Sequence, residues 1–369
     1  MAPLILGAGP AGCAAAIGLA QAGAEPVLLD RDADVRDLLC GGFLSWRTAA
    51  QLGALGVDPA ALGAHRVERL ALFAGRREVT LALPATAYGL SRRALDTALR
   101  ARAVALGTRL AIDTARGIEG SAVFGRERTW TGDGLFLATG KHDLRGLARP
   151  RVAHDPALGL RLRLPPSAAR RALLEGRIEL HLFDHGYAGI VQQEGGSTNV
   201  CLAVRKSRLA AAGGDPEELL ARLAEANPAF AERLGADWRA AEVDTVGSVP
   251  YGWIARTTPS GLFRLGDQAA VIPSLAGEGI SIAVASGTAA ARHWLERGAA
   301  AAPAYQREFA VRAAGPVRTA RLAWTLAERP LAARLGLALA VRFPPIVSAL
   351  MQLSRIAPEA NLAQVRSAS

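Results

Sequence analysis

Lysine is almost missing from this 369-residue chain: only Lys141 and Lys206 occur, and the rest of the 43 basic residues are arginines. Set against 33 acidic residues, they leave a net charge of +10. The arginines are scattered, with pairs such as Arg76-Arg77, Arg92-Arg93 and Arg170-Arg171 as their longest runs. A nucleic-acid surface needs a basic cluster interleaved with aromatics, and aromatics are only 5% of the chain, so no nucleic-acid partner is expected. The positive balance suits attraction of an acidic cofactor or an anionic substrate instead. Cysteine is equally scarce. Cys13, Cys40 and Cys201 are widely spaced and give neither a disulfide framework nor a CxxC site. The six histidines, His65, His142, His154, His181, His185 and His293, fall at no metal-ligand spacing, so no metal is expected.

Long apolar runs are lacking too. The most apolar late stretch, Leu331–Leu353, is interrupted by Arg334, Arg342 and Pro344-Pro345. A membrane-spanning helix needs about 20 continuous apolar residues. The stretch reads as a packed cap over a cavity, with weak contact to a membrane surface as the alternative. The amino terminus has no charged region of the kind that opens a signal peptide. A soluble, cytoplasmic protein is the expectation. Half of the residues are hydrophobic, which excludes disorder and supplies a large core.

What is present begins at once. Pro3-Leu4-Ile5-Leu6 reads as a buried strand, and Gly7-Ala8-Gly9-Pro10-Ala11-Gly12 follows it. Cys13–Ala22 is small and apolar, as in a helix packed tightly on a sheet, and Glu25-Pro26-Val27-Leu28-Leu29-Asp30 reads as a second strand ending in an acid. In a G-x-G-x-x-G turn the first glycine allows the tight turn and the second lets backbone approach a pyrophosphate. The third lets helix and strand pack closely. The helix N-terminus offers free N–H groups to the phosphates. Asp30 lies 18 residues after Gly12, near the spacing of about 20 at which an acid meets the ribose hydroxyls. A dinucleotide site is expected, with Arg31 beside it.

Residues 261–287 decide which dinucleotide. Leu262–Leu265 is strand-like and ends in Gly266-Asp267; after Pro273 come Gly277-Glu278-Gly279-Ile280 and a run of small residues to Gly287. On these motifs the chain resembles FAD-dependent oxidoreductases of the para-hydroxybenzoate hydroxylase-type fold, in their geranylgeranyl reductase-like branch. The resemblance implies that Asp267 meets the FAD ribityl or ribose hydroxyls. It also implies that Gly277, Gly279 and Ile280 bring backbone N–H groups and a helix end to the flavin pyrimidine edge. Ser91-Arg92-Arg93-Ala94-Leu95-Asp96 resembles the family's R-x-x-L-D helix start, with Ser91 as N-cap and Arg92 as the contact to FAD; a solvated amphipathic helix is the plainer alternative. Cys40-Gly41-Gly42 resembles the loop over the isoalloxazine face, and Cys40 is either a group near the flavin or an inert thiol. The strand end Phe136–Ala138-Thr139-Gly140 has threonine where the hydroxylases of this fold carry aspartate. The charged run Lys141–Arg145 either approaches the cofactors or is a solvated turn.

The implied fold is α/β: a Rossmann-type, GR2-like FAD-binding domain, an inserted antiparallel-sheet substrate domain and a helical C-terminus. The boundaries read as 1–70, 90–150 and 258–300 for the FAD domain, 71–89 and 151–257 for the substrate domain, and 301–369 for the helical region, broken at Pro316, Pro330 and Pro344. The family's G-Y-x-W-x-F-P segment is only partly kept: Gly186-Tyr187 match, but Gly189 stands where the tryptophan would fall. The substrate is therefore not expected to be the same isoprenoid lipid.

No second G-x-G-x-x-G is visible, so electrons would come transiently from NAD(P)H or from a partner carrier. The leading expectation is a monooxygenase acting on a small apolar or aromatic substrate through an oxygen adduct at flavin C4a. The alternative is an ene reductase that delivers hydride from flavin N5, with Tyr187 or Cys40 as proton donor. A third class is an electron-carrier flavoprotein, but three cysteines cannot ligate the iron–sulfur cluster of the quinone-reductase version. A halogenase is disfavoured because Trp253-Ile254 does not reproduce the W-x-W-x-I-P motif. Tyr187, Tyr251 and Trp253 are candidate substrate walls, with core packing as the alternative for each.

Overall fold

Short apolar runs make the inner strands, and small residues make the helix that must lie close upon them. The computed structural model describes residues 2–120, 122–150 and 153–357. The strands are β1 (Leu4–Leu6), β2 (Val27–Asp30), β3 (Phe43–Leu44), β4 (His65–Ala74), β5 (Arg77–Gly89), β6 (Arg109–Ile112), β7 (Gly117–Glu119), β8 (Ala122–Phe124), β9 (Thr129–Thr131), β10 (Leu135–Leu137), β11 (Ala157–Leu164), β12 (Arg177–Phe183), β13 (Gly186–Gln192), β14 (Thr198–Arg205), β15 (Val243–Val249) and β16 (Leu262–Arg264). The helices are α1 (Pro10–Gln21), α2 (Trp46–Ala54), α3 (Arg92–Ala105), α4 (Ala168–Leu174), α5 (Lys206–Ala211), α6 (Pro216–Ala226), α7 (Pro228–Leu234), α8 (Gly279–Arg297), α9 (Ala302–Ala327), α10 (Pro330–Arg342) and α11 (Pro344–Leu353).

A parallel five-stranded sheet runs in the order β16-β10-β1-β2-β6. Strand residues alternate between faces. Ile5, Leu28, Phe136 and Phe263 point to α1, α3, α8 and α9 and join the main core. Leu4, Leu29, Leu135 and Leu262 point the other way, to Val123 and Trp130 of the small sheet β7-β8-β9. That small sheet is anchored by Asp113. Its carboxylate accepts the Arg126 and Glu127 N–H groups and the Trp130 indole N–H.

The second large sheet has the order β15-β11-β14-β13-β12-β4-β5-β3, antiparallel except for β4 and β12. Leu160, Leu162, Ile190, Val200 and Leu202 pack under α4, α6 and α7. On that side Glu179 lies fully buried, bonded to His181 at 2.9 Å and to Arg233 at 2.9 and 3.2 Å. The opposite face carries Leu180, Leu182, Tyr187, Gly189 and Cys201 and looks onto a cavity.

Two expectations about organisation need adjusting. The large sheet starts at His65, not 71, because β4 pairs with β5 along its whole length, and the 43–44 segment adds an edge strand. Pro316 does not break the helical region: α9 runs through it. A residue before proline usually resists the helical conformation because its Cβ meets the ring. Gly315 has no Cβ. Pro330 and Pro344 instead start α10 and α11, where a missing N–H costs nothing. Residues 358–369 of the expected C-terminal region lie outside the described residues.

The two helices behind the parallel sheet touch through backbone. A Cβ on Gly287 would lie 2.3 Å from the Ala11 carbonyl oxygen. Gly287→Ala should therefore lose about 1–3 kcal/mol of unfolding free energy by overpacking. Gly53, exposed in α2 with no atom within 4 Å of its Cβ position, should gain about 0.5 kcal/mol as Gly53→Ala. Urea unfolding of both variants checks the opposite signs. Trp130 and the turn N–H groups hold the Asp113 carboxyl down at about 2, against 3.8 in the unfolded chain. Its stabilising effect is fully present above 3.8 and fades as pH falls toward 2. In acid titration Asp113→Asn should be less stable than the parent at neutral pH, with the gap closing in that window.

Candidate active site

The cavity, of about 1020 Å³, runs from the glycine turn after β1 to the inner sides of α9 and α10. It brings together almost every residue singled out in the sequence: Gly7, Gly9, Pro10, Ala11, Asp30 and Arg31 at one end, Cys40, Gly41, Gly42 and Arg92 along one wall, and Thr139, Gly140, Gly266, Asp267, Gly277, Gly279 and Ile280 along the other. Three residues stand off it. Gly12 is packed behind the turn, where a Cβ would meet the Gly7 carbonyl oxygen at 1.9 Å. Pro273 is buried behind the loop that it begins. Trp253 does not line the cavity: its peptide is spent on Pro250 and Val271, in a segment that runs behind the wall.

The polar end suits a dinucleotide. Gly7, at φ +108, lets the chain turn where a Cβ would strike Ala138 backbone. Asp30 accepts the Ala8 N–H at 2.6 Å and the Asp32 N–H at 3.0 Å, and Arg100 lies 3.6 Å away. So the acid braces the turn as well as facing the cavity. The helices α1 and α8 both begin here, and neither N-terminus is capped by a side chain. Their free N–H groups carry partial positive charge toward anionic groups. Gly41 and Gly279 have no protein atom within 4 Å of their Cβ positions, and Gly9 has only the Arg92 guanidinium at 3.5 Å. The protein's own packing does not demand glycine at these three, whereas the close approach of a flat or phosphorylated ligand does. Gly140 is required already by its backbone, at φ +59. Arg92 lies along this wall but is held by Asp96 at 2.8 and 2.5 Å. Asp267 shows its carboxylate no partner among the described residues; its carbonyl accepts from Arg149. These features fit an FAD.

The charged turn after Gly140 is a brace. Lys141 donates to the Leu39 carbonyl at 2.9 Å, Arg149 donates to the Lys141 carbonyl and to Asp143, and Gln268 donates to the Gly140 and His142 carbonyls. Burial, with Arg31 beside it, lowers the His142 pKa and keeps the ring neutral.

The other end is apolar, floored by Leu72, Leu180, Leu182 and Gly189 and roofed by Ala323, Ala327 and Leu337. Where the two ends meet, Tyr187 donates to the Ser274 hydroxyl at 2.7 Å, and Tyr251 bonds the same hydroxyl at 2.7 Å. Burial raises both phenol pKa values, so both stay protonated at neutral pH. Burial pushes the Cys201 thiol up to about 12, which makes it inert. Cys40 is half-buried, and its Sγ accepts the Gly42 N–H at 3.5 Å.

Sequence reasoning missed Ser274, Asn199 and the Glu278–Arg355 pair. Asn199 holds the Cys40–Gly42 loop by donating to the Cys40 and Gly41 carbonyls at 3.1 and 2.9 Å. Glu278 is fully buried inside the Gly277–Ile280 loop and accepts from Ser45 at 2.7 Å and from Arg355. Arg355 also donates to the Ala276 carbonyl. An acid between two motif glycines was the available signal for this pair; no local signal pointed to its partner 77 residues later.

Residues 1–119 match the family model described as FAD binding domain. Solved structures share the whole fold. The flavin-dependent brominase Bmp2 superposes with a TM-score of 0.75 at 14% identity, over 99% of this chain and 97% of its own. PqsL from Pseudomonas aeruginosa, described as a probable FAD-dependent monooxygenase, gives 0.72 at 15% identity, over 91% and 99%. A geranylgeranyl bacteriochlorophyll reductase-like protein from Thermoplasma acidophilum gives 0.65 at 17% identity, over 95% and 98%. No curated protein sequence matches the chain. At these identities the likeness is one of fold.

Removing one partner of a buried ion pair strands the other charge at a cost of about 3–5 kcal/mol. Glu278→Ala should lower stability by that order and reduce the FAD retained on purification, measured by absorbance at the flavin band. The double variant Glu278→Gln/Arg355→Met should recover most of the stability.

Proposed function

We propose that this protein, which carries an FAD-binding domain on an FAD-dependent oxidoreductase fold, is a monooxygenase for a small apolar or aromatic substrate. The observation that carries the reading is the continuity of one cavity: a glycine-lined polar cradle opens into an apolar chamber, with two protonated phenols at the junction. The net reaction is substrate–H + O2 + NAD(P)H + H⁺ → substrate–OH + NAD(P)⁺ + H2O. A bound FAD supplies the electron transfer and oxygen activation that no side chain can.

The chain's own residues orient and exclude. Leu72, Leu180, Leu182 and Leu337 hold an apolar ring and keep water out of the chamber, which limits wasteful loss of activated oxygen. Ser274 sits between Tyr187 and Tyr251 and links them into a short hydroxyl chain. That chain can hold a polar substituent of the substrate and pass one proton to or from it. The polar end, where the uncapped N-termini of α1 and α8 open, would receive the phosphates of FAD and leave the substrate end largely uncharged.

A second reading rests on Tyr187. A buried phenol that stays protonated next to the cofactor cradle is also the proton donor that an ene reductase needs when hydride reaches one carbon of a C=C bond. The two readings part on oxygen. With a panel of phenols, anilines and conjugated alkenes under ¹⁸O2, the monooxygenase puts one labelled oxygen into product and is inactive without oxygen. The reductase turns over alkenes anaerobically and incorporates none. Reduction by NAD(P)H with no product in either atmosphere would point to an electron carrier. Tyr187→Phe should keep its FAD yet form product about 100-fold more slowly, the lower end of what one positioned proton-handling group contributes.

A further inference from the structure

The helix pair α10–α11 has two apolar sides. Inward, Ala333, Leu337 and Ala340 pack on Leu72, Leu81 and Leu182 and complete the chamber roof. Outward, Leu331, Leu335 and Leu339 recur every four residues along α10 and are 76%, 67% and 53% exposed. Phe343 at the bend and Ile346 and Leu353 in α11 add exposed apolar side chains beyond it, with 47–62% exposure. Contiguous exposed apolar surface of this kind marks a contact face rather than ordinary surface. Among the described residues no single helix is long and apolar enough to cross a membrane; α10 and α11 reach that length and apolarity only together and are bent by 112°. With α10 packed on the chamber by its inner side, its outer side is placed to lie on a surface.

Charge selects what covers the face. By the 3.6-residue period Arg342 falls on the same side of α10 as the exposed leucines, and Arg334 lies at the flank of that stripe, its guanidinium beside Gly75. Arg318, Arg321 and Arg329 lie on the elements leading into it, and none of these five arginines has an acidic partner among the described residues. The single acid from 311 to 353 is Glu328, already bound by Arg205 at 2.8 Å. A second copy meeting this face symmetrically would bring arginine against arginine. An apolar stripe bordered by unpaired arginines matches the interface of an anionic bilayer, with the leucines among the acyl chains and the guanidiniums at the phosphates.

We propose that the outer face of α10–α11 docks this protein onto an anionic lipid surface. The same helix pair is then both chamber roof and lipid contact, so one helix diameter, about 10 Å, separates the substrate chamber from the bilayer. The docking stands whichever reaction the chamber performs.

Vesicle sedimentation of the full FAD-loaded protein tests it. Binding should rise about tenfold from pure phosphatidylcholine to vesicles with about 30% phosphatidylglycerol, and fall again in high salt. Leu335→Glu/Leu339→Glu should abolish it, and Arg334→Glu/Arg342→Glu should reduce it about tenfold. Both variants are checked for parent-like flavin absorbance and circular dichroism. If either is misfolded, the single variants Leu335→Gln and Arg342→Gln replace it, with smaller losses expected. Parent protein that binds neither vesicle overturns the proposal. So does a dimer in light scattering that the leucine substitutions dissolve while vesicle binding is unaffected, which would make the face a self-interface.

Discussion

Two helices meeting without side chains between them set the geometry of everything else. α1 approaches the β1 turn because Gly12 adds nothing against the Gly7 carbonyl, and α8 approaches α1 because Gly287 adds nothing against Ala11. Any Cβ at these points pushes a helix outward. The seam lets both N-termini open on one cavity, so two weak fields of partial positive charge act on one ligand. The polar cradle is thus a by-product of tight packing rather than of charged side chains. Arg92, the obvious charged candidate, spends its fork on Asp96.

Much of this was legible in the sequence, because it rests on local rules. Glycine spacing, the short strand before it and the acid after it follow from backbone geometry within thirty residues, and residues 1–119 match an FAD-binding domain model. Ser91 caps α3 as expected, accepting the Ala94 N–H. Alternation in Ile178–Leu182 marks β12, whose odd and even residues separate core from cavity. The cradle glycines could be named before the fold was known because each works through its own backbone.

The chamber was not legible to the same degree, since its residues act through partners far away in sequence. Ser274 is unremarkable until β13 delivers Tyr187 and the β15–β16 connection delivers Tyr251 to it. Trp253, next but one after Tyr251, faces elsewhere, and nothing in the sequence separates the two. Glu278 needed Arg355 to make sense of a buried carboxylate. Pro316 misled because proline was weighed alone, without the glycine before it. In each case the deciding contact spans many residues of sequence or depends on a neighbour that changes a rule.

Gly189 and the two-sided roof have a consequence for how the chamber can be reshaped. The chamber floor belongs to a sheet whose register is fixed by hydrogen bonds on both sides, so its outline resists drift. The roof is held by a few alanines and leucines on one helix face and by one arginine strap at Arg355. Volume at the roof can therefore be changed residue by residue without disturbing the ladder beneath or the glycine seam behind, and the outline of the chamber is set on the side of the molecule that carries the fewest constraints.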